Sequence, residues 1–344
     1  MAVAGGCQSC ANTSGTGAAK SNLELVPKET DVIFQANLSR MRNTEIWRKL
    51  LDFRDSDAKS KKDYDDFVTK CGLDPLKQID SVFLAFPQTV NDTKEFAAIL
   101  RGTFDQTKLL ACAKDQAKKD NQVLSESDYN GHKIYSSNPT GKEGQAYATF
   151  LDNKTVVLAG KDWIKKVIDL AGGKTKLPSA KDHAELVALM KRAHTNDGLW
   201  GAGLVPQSTR DQLKADPHLS AAGSMKDVIG SIDFANGFAA DIDVDLGSPA
   251  DATELQAKAT AQLADAKKSP QLMMTGLSSF LDSVKVDAKG ATFHVSIHFN
   301  QQQVDDLTNR VKGLLNSLRG VMGGGMGAPP SEPPTQMPSP PPAH

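Results

Sequence analysis

His294 and His298, in Thr292-Phe-His-Val-Ser-Ile-His-Phe299, stand four residues apart. On a helix that spacing would aim both imidazoles at one metal ion. Here Phe293, Val295, Ile297 and Phe299 alternate with them, which is a strand pattern. At roughly 3.3 Å per residue the two histidines then share a face about 13 Å apart, too far for one ion. Asp241, Asp243 and Asp245 alternate in the same way with Ile242, Val244 and Leu246, so their carboxylates recur at about 7 Å intervals on one face. Such a row could attract calcium if other oxygens converged on it. It lacks the glycine and the distal Glu of an EF-hand loop, so both rows read as water-facing strand surfaces and no metal is expected.

Other constellations fail on context. Gly172-Gly173-Lys174-Thr175 looks like the end of a phosphate-binding loop, but that motif needs a glycine where this chain has Ile168, and a strand rather than a helix end before it. Cys7 and Cys10 form a Cys-x-x-Cys pair, yet Gly, Ser and Thr surround it where a redox pair needs a strand before and a helix after. A structural zinc would need a second such pair, and Cys71 and Cys112 stand 41 residues apart without companions. Those two could form a disulfide in an exported protein; otherwise they are small buried hydrophobes. The chain has no Gly-x-Ser-x-Gly, no His-Glu-x-x-His and no Gly-x-Gly-x-x-Gly after a strand. His132, His183, His194 and His218 fall near turns or helix ends with no partner pattern. No catalytic residue and no cofactor is assigned.

Composition narrows the partners. The 344 residues carry 40 Lys and Arg against 41 Asp and Glu, which removes a global electrostatic case for nucleic acid or an anionic membrane surface. Aromatics are 6% of the chain, too sparse for a single-strand stacking platform. No apolar run reaches the roughly 20 residues of a membrane-spanning helix.

The elements that must position these residues are legible because the chain repeats itself. Ile79 to Phe86 and Phe96 to Phe104 read as strands followed by a helix to about Lys119; Met225 to Phe234 and Phe238 to Leu246 repeat the order, followed by an Ala-rich helix over 249–267. A strand at 32–38 matches one at 199–205. Strands at 144–151 and 154–159 with a helix over 161–170 match a hairpin at 283–299, turning at Lys289-Gly290, with a helix over 301–319. A further strand is read near 131–137. Asp152-Asn153 is a tight-turn signal. Ser39 is read as the cap of a helix carrying Ile46, Trp47, Leu50 and Leu51 at helical spacing, with Trp47 as a core anchor. Pro178-Ser179-Ala-Lys-Asp182 reads as a capping box opening the linker helix of residues 180–194. Short turns between neighbouring strands predict an α+β fold: two repeated units of mainly antiparallel sheet with helices packed on one face.

The predicted organisation is a signal remnant and tether over 1–22, a first repeat over 23–178, a second over 179–320 and a Gly/Pro-rich tail over 321–344. The tail's composition predicts disorder or polyproline structure. Met1-Ala-Val-Ala-Gly-Gly-Cys7 resembles the end of a bacterial lipoprotein signal, where small residues precede a lipidated cysteine. Ala4 stands where that motif usually has Leu, and no basic segment or apolar core lies upstream. The polar, small residues from Gln8 to Ser21 suit a tether.

With its Pro27-Lys-Glu-Thr-Asp-Val32 lead-in, the helix containing Ile46-Trp-Arg-Lys-Leu50 and its duplicated halves, the chain resembles uncharacterised bacterial exported lipoproteins with a repeated α+β body. The resemblance spans about residues 23–316 and implies an envelope location and no known activity; the signal-like start adds membrane attachment through lipid on Cys7, on the periplasmic face or cell surface. The leading expectation is a non-enzymatic envelope protein that binds a protein or apolar ligand in a groove at the seam between repeats, with the linker of residues 180–194 near that seam. The alternatives are a structural subunit of an envelope assembly, using a sheet edge and the Pro-rich tail, and a hydrolase with dispersed acidic residues. A large apolar cavity would favour the carrier; an exposed apolar patch without one would favour assembly.

Overall fold

The computed structural model describes residues 20–87, 95–138, 146–173, 176–216 and 219–323. In chain order the elements are α1 (Asn22–Leu25), β1 (Thr30–Ala36), α2 (Leu38–Met41), α3 (Glu45–Asp55), α4 (Ala58–Cys71), α5 (Pro75–Gln78), β2 (Ile79–Pro87), β3 (Ala97–Gly102), α6 (Gln106–Lys119), β4 (Val123–Tyr129), β5 (His132–Asn138), β6 (Tyr147–Asp152), β7 (Thr155–Ala159), α7 (Lys161–Gly172), α8 (Ala184–Met190) and β8 (Leu199–Leu204). Then follow α9 (Gln207–Ala215), β9 (Asp227–Asp233), β10 (Phe238–Asp245), α10 (Pro249–Lys267), α11 (Pro270–Met274), β11 (Val284–Lys289), β12 (Thr292–Phe299) and α12 (Gln301–Gly323).

All twelve strands join one antiparallel sheet in the order β11-β12-β10-β9-β8-β1-β2-β3-β7-β6-β5-β4. The expected α+β class is what the structure shows, and the duplication is visible in the pairing. Reading outward from the centre, β1-β2-β3-β7-β6 on one side repeats as β8-β9-β10-β12-β11 on the other. α6 and α10 occupy equivalent places in the two series, as do α7 and α12. The first half carries an additional hairpin, β4–β5, at its outer edge. The halves join through β1 and β8, whose register runs from Val32 opposite Gly203 to Ala36 opposite Leu199.

Two packing layers hold the sheet. On one face Ile33, Phe83, Ile99, Val157 and Ala202 meet Trp163, Ile164, Val167 and Ile168 of α7 and Leu186 and Leu189 of α8, forming the main core. Removing this apolar surface from water is the main favourable term in folding. On the other face, toward the β11 edge, Val244, Phe293, Val295 and Val286 pack under Ala252, Leu255 and Ala259 of α10. Register explains the division. Ile242 lies opposite Val295, and Val295 opposite Val286, so these three side chains share a face. Ile229 lies opposite Ala202, which lies opposite Ile33, on the other.

Local chemistry sets the helix starts. Thr44 accepts from the Trp47 amide, Asp57 from Ser60, Asp105 from Lys108 and Ser248 from Asp251, each satisfying an otherwise orphaned N–H. Thr44, not Ser39, therefore opens the helix carrying Trp47; Ser39 lies inside the single turn of α2. The expected capping box at Ser179 and Asp182 is present, but it opens a 3-10 turn, and α8 begins only after His183. Residues 58–71, where Lys and Asp crowd the chain, are helical throughout. The hairpin strand β4 was not foreseen, although Asn130 and Gly131, both at positive φ (47° and 83°), form the kind of turn that joins two such strands.

Candidate binding groove

The open part of the sheet lies between the two repeats, on the face opposite α7 and α8. Ile242 sits opposite Gly230, Gly230 opposite Gly201, Gly201 opposite Phe34 and Phe34 opposite Leu84. This row crosses five strands with Gly201 and Gly230 at its centre, and Gly203 stands beside it in the next row, opposite Val32 and Val228. Lacking side chains, these glycines leave a depression of about 790 Å³, within the range of small-molecule sites. Phe34, Leu84, Val82 and Ile242 wall it, and Pro206, Thr209 and Met225 close one rim. Phe34 is 49% exposed and Ile242 45% exposed, unusual for large apolar side chains in the middle of a sheet. Phe34 meets Phe86 edge-on, ring centroids 6.4 Å apart.

The groove's chemistry is almost wholly apolar. Gln35, Thr209 and Ser231 are the polar residues among the aliphatic, aromatic and glycine positions around it. The floor offers no free backbone groups either, because β1, β8 and β9 are each paired on both sides. The linker anticipated near this seam does reach it, but from behind: Leu186 and Leu189 of α8 belong to the core under the opposite face.

The histidine and aspartate rows lie on that opposite face, along β10 and β12. His294 is directly across from Asp243, and its Nδ1–H donates to Asp243 Oδ1 at 2.7 Å. The Asp241 carboxylate approaches His294 Nε2 at 3.6 Å and His298 Nε2 at 3.8 Å. The imidazoles thus lean toward one carboxylate and come closer together than their backbone spacing requires. The acidic row is also less solvated than expected. Asp245 accepts from Arg192 at 2.6 Å and from Thr292 at 2.6 Å. Asp227, opposite Asp245, shares Arg192 at 3.4 Å; burial, and then the neighbouring Asp245 charge, raise its pKa. Among the described residues no group of three or more His, Cys, Asp and Glu is placed to hold a metal ion.

The remaining candidates separate. Cys71, at the end of α4, and Cys112, in α6, are joined as a disulfide with Cα atoms 4.9 Å apart, inside the span a bridge requires. Cys7, Cys10, Lys174, Thr175, His218 and the tail from residue 324 lie outside the described residues. His183 approaches the Thr30 carbonyl at 2.9 Å and His132 the Phe150 carbonyl at 3.2 Å, both structural contacts. The groove residues were the ones sequence reading missed. Leu199-Trp-Gly-Ala-Gly-Leu204 carried the available signal, since glycines two apart in a strand leave one face bare.

No helix among the described residues is long and apolar enough to cross a membrane. The chain matches no protein-family model and, by sequence, no curated protein. Two solved structures align with it over 86% of its length: crystal form III of TP0453, with 12% identity, all of that chain covered and a TM-score of 0.46, and crystal form I, with 11% identity, 98% covered and a TM-score of 0.42. Such scores at such identity establish neither a shared fold nor a shared activity.

Proposed function

We propose that this chain is a non-enzymatic protein of the bacterial cell envelope, tethered by lipid on Cys7, that binds a protein or apolar ligand in the groove between its two repeats. The observation that carries this reading is the open, glycine-floored apolar groove across β2, β1, β8, β9 and β10. Keeping Phe34 and Ile242 half in water forgoes burial worth about 25 cal/mol per Å². A patch of this kind on a charge-balanced protein marks a binding surface. The Cys71–Cys112 bridge agrees with an oxidising compartment.

Nile red, which brightens in apolar surroundings, tests the groove. Binding should saturate at one site and weaken at least tenfold in Gly230→Leu. A Cβ at Gly230 meets only ordinary contacts, at 3.8 Å, so leucine there fills the groove without forcing the sheet apart. Undiminished binding in that variant overturns the groove. The tether is tested separately, by intact mass and membrane fractionation of the product of the native gene. A diacyl or triacyl mass on Cys7 supports it; an unmodified soluble product removes it.

The second reading, a subunit of an envelope assembly, draws on the sheet's two ends. β4 is an edge strand whose Val123 is 74% exposed, and β11 is the other edge. Such edges can recruit a further strand. Concentration-dependent association that persists in Gly230→Leu would favour it.

A further inference from the structure

We infer that the ligand of this groove is a single unbranched acyl chain bearing an anionic head, its methylenes laid over the Gly201 and Gly230 floor and its head group beside Lys226. The inference rests on the groove being a binding site, as proposed above, and selects among its occupants by hydrogen-bond and charge complementarity. A peptide laid there would bury N–H and C=O groups against strands whose own backbone is already paired on both sides. Each polar group left unsatisfied costs about 1–3 kcal/mol. An alkyl chain has no such groups to satisfy. A second copy of this chain fits poorly, because it would present the same concavity, and two hollows face to face bury little of the roughly 800 Å² per partner that a stable interface needs.

Charge locates the head. Lys226 pairs through its backbone with Val205 and with Asp245, extending β9 by one residue beyond Asp227. Strand alternation puts its side chain on the face of Val228, which lines the groove. It stands next to Met225 of the rim and is exposed, and its charged neighbour along the strand, Asp227, faces the other side of the sheet with Ile229. A carboxylate or phosphate at this mouth would meet a cation, while its chain ran toward Phe34 and Ile242.

The test uses the full chain with Nile red as reporter and fatty acids from octanoate to palmitate as competitors. Displacement should tighten with chain length, approaching about fourfold per added methylene until the groove is full. Lys226→Glu should weaken palmitate severalfold and leave Nile red unchanged. Ile242→Ser, which alters an exposed wall position, should weaken both and serves as a second variant if Gly230→Leu disturbs folding. Nile red bound in the groove but not displaced by palmitate, or displaced without chain-length dependence, overturns the acyl assignment and leaves the groove reading standing. Displacement by an apolar peptide and not by palmitate also overturns it. Palmitate affinity unchanged in Lys226→Glu overturns the placement of the head. No Nile red binding at all overturns both readings.

Discussion

The Phe34 ring lies across Gly201, two residues from different repeats paired at the β1–β8 junction. A Cβ at position 201 would fall 2.5 Å from Phe34 Cδ1 and 3.2 Å from the Ile33 carbonyl oxygen. Gly201 is thus the space in which a groove wall rests, and the junction's packing and the groove's shape are one arrangement. Gly201→Ala should push Phe34 outward, costing about 1 kcal/mol or somewhat more, at the low end of overpacking losses because an exposed ring can move. Urea denaturation and Nile red titration of the same variant check it: a modest stability loss should accompany a clear change in dye affinity.

Ile33 lies behind Phe34, fully buried where core residues of both repeats meet. Ile33→Ala should cost about 2–5 kcal/mol. Because the sheet runs unbroken through β1 and β8, tryptophan fluorescence and far-UV circular dichroism should lose their signals at the same urea concentration, in the variant and in the parent chain. Two separated transitions would show that the repeats unfold independently.

The Cys71–Cys112 bridge closes a loop with a sequence separation of 41 residues and ties α4 to α6. The chain-entropy relation gives a stabilisation of about 4 kcal/mol, from which native strain subtracts. In protein isolated from an oxidising compartment, both thiols should resist alkylation until reductant is added, as read by peptide mass. Replacing both by Ser should lower the denaturation midpoint substantially.

Two carboxylates should respond to pH in opposite directions. The Glu24 pKa is lowered to about 2, first by the hydrogen bond from Lys181, which links α1 to the turn before α8. Its contribution is present above the ordinary carboxylate value of 4.5 and is lost as pH falls toward about 2. Glu24→Gln should therefore be the less stable protein at neutral pH and equal to the parent at the acid end. Asp227 is raised by burial and by Asp245, so the folded state holds its proton more tightly than the unfolded chain. It favours folding most at acid pH, and that advantage disappears as pH rises through its folded value. Asp227→Asn should stabilise at neutral pH, with the gain vanishing below the usual carboxylate range. Urea titrations at several pH values check both signs.

Much of the molecule was legible in the chain. Apart from β4, whose polar run Val123–Tyr129 hid it, alternation of apolar residues marked the stretches that become strands, and glycine-bearing turns such as Lys289-Gly290 marked hairpins, because both signals act within a few residues. The repeated order of strands and helices announced the duplication for the same reason. Sequence could not decide how the repeats meet. Whether β1 pairs with β8 in one sheet or each half closes its own depends on contacts between residues some 160–170 positions apart, here Phe34 with Gly201 and Ile33 with Ala202. The groove follows from that choice alone. Gly201 and Gly203 leave one face of β8 bare, but with Gly230 they become a floor only when register sets the strands side by side. The two histidines show the same limit: alternation gave their shared face, but cross-strand register to β10 put Asp241 between them. Local sequence sets periodicity, which is a property of one strand; a site on a sheet is a property of several strands in register, and only tertiary structure supplies it.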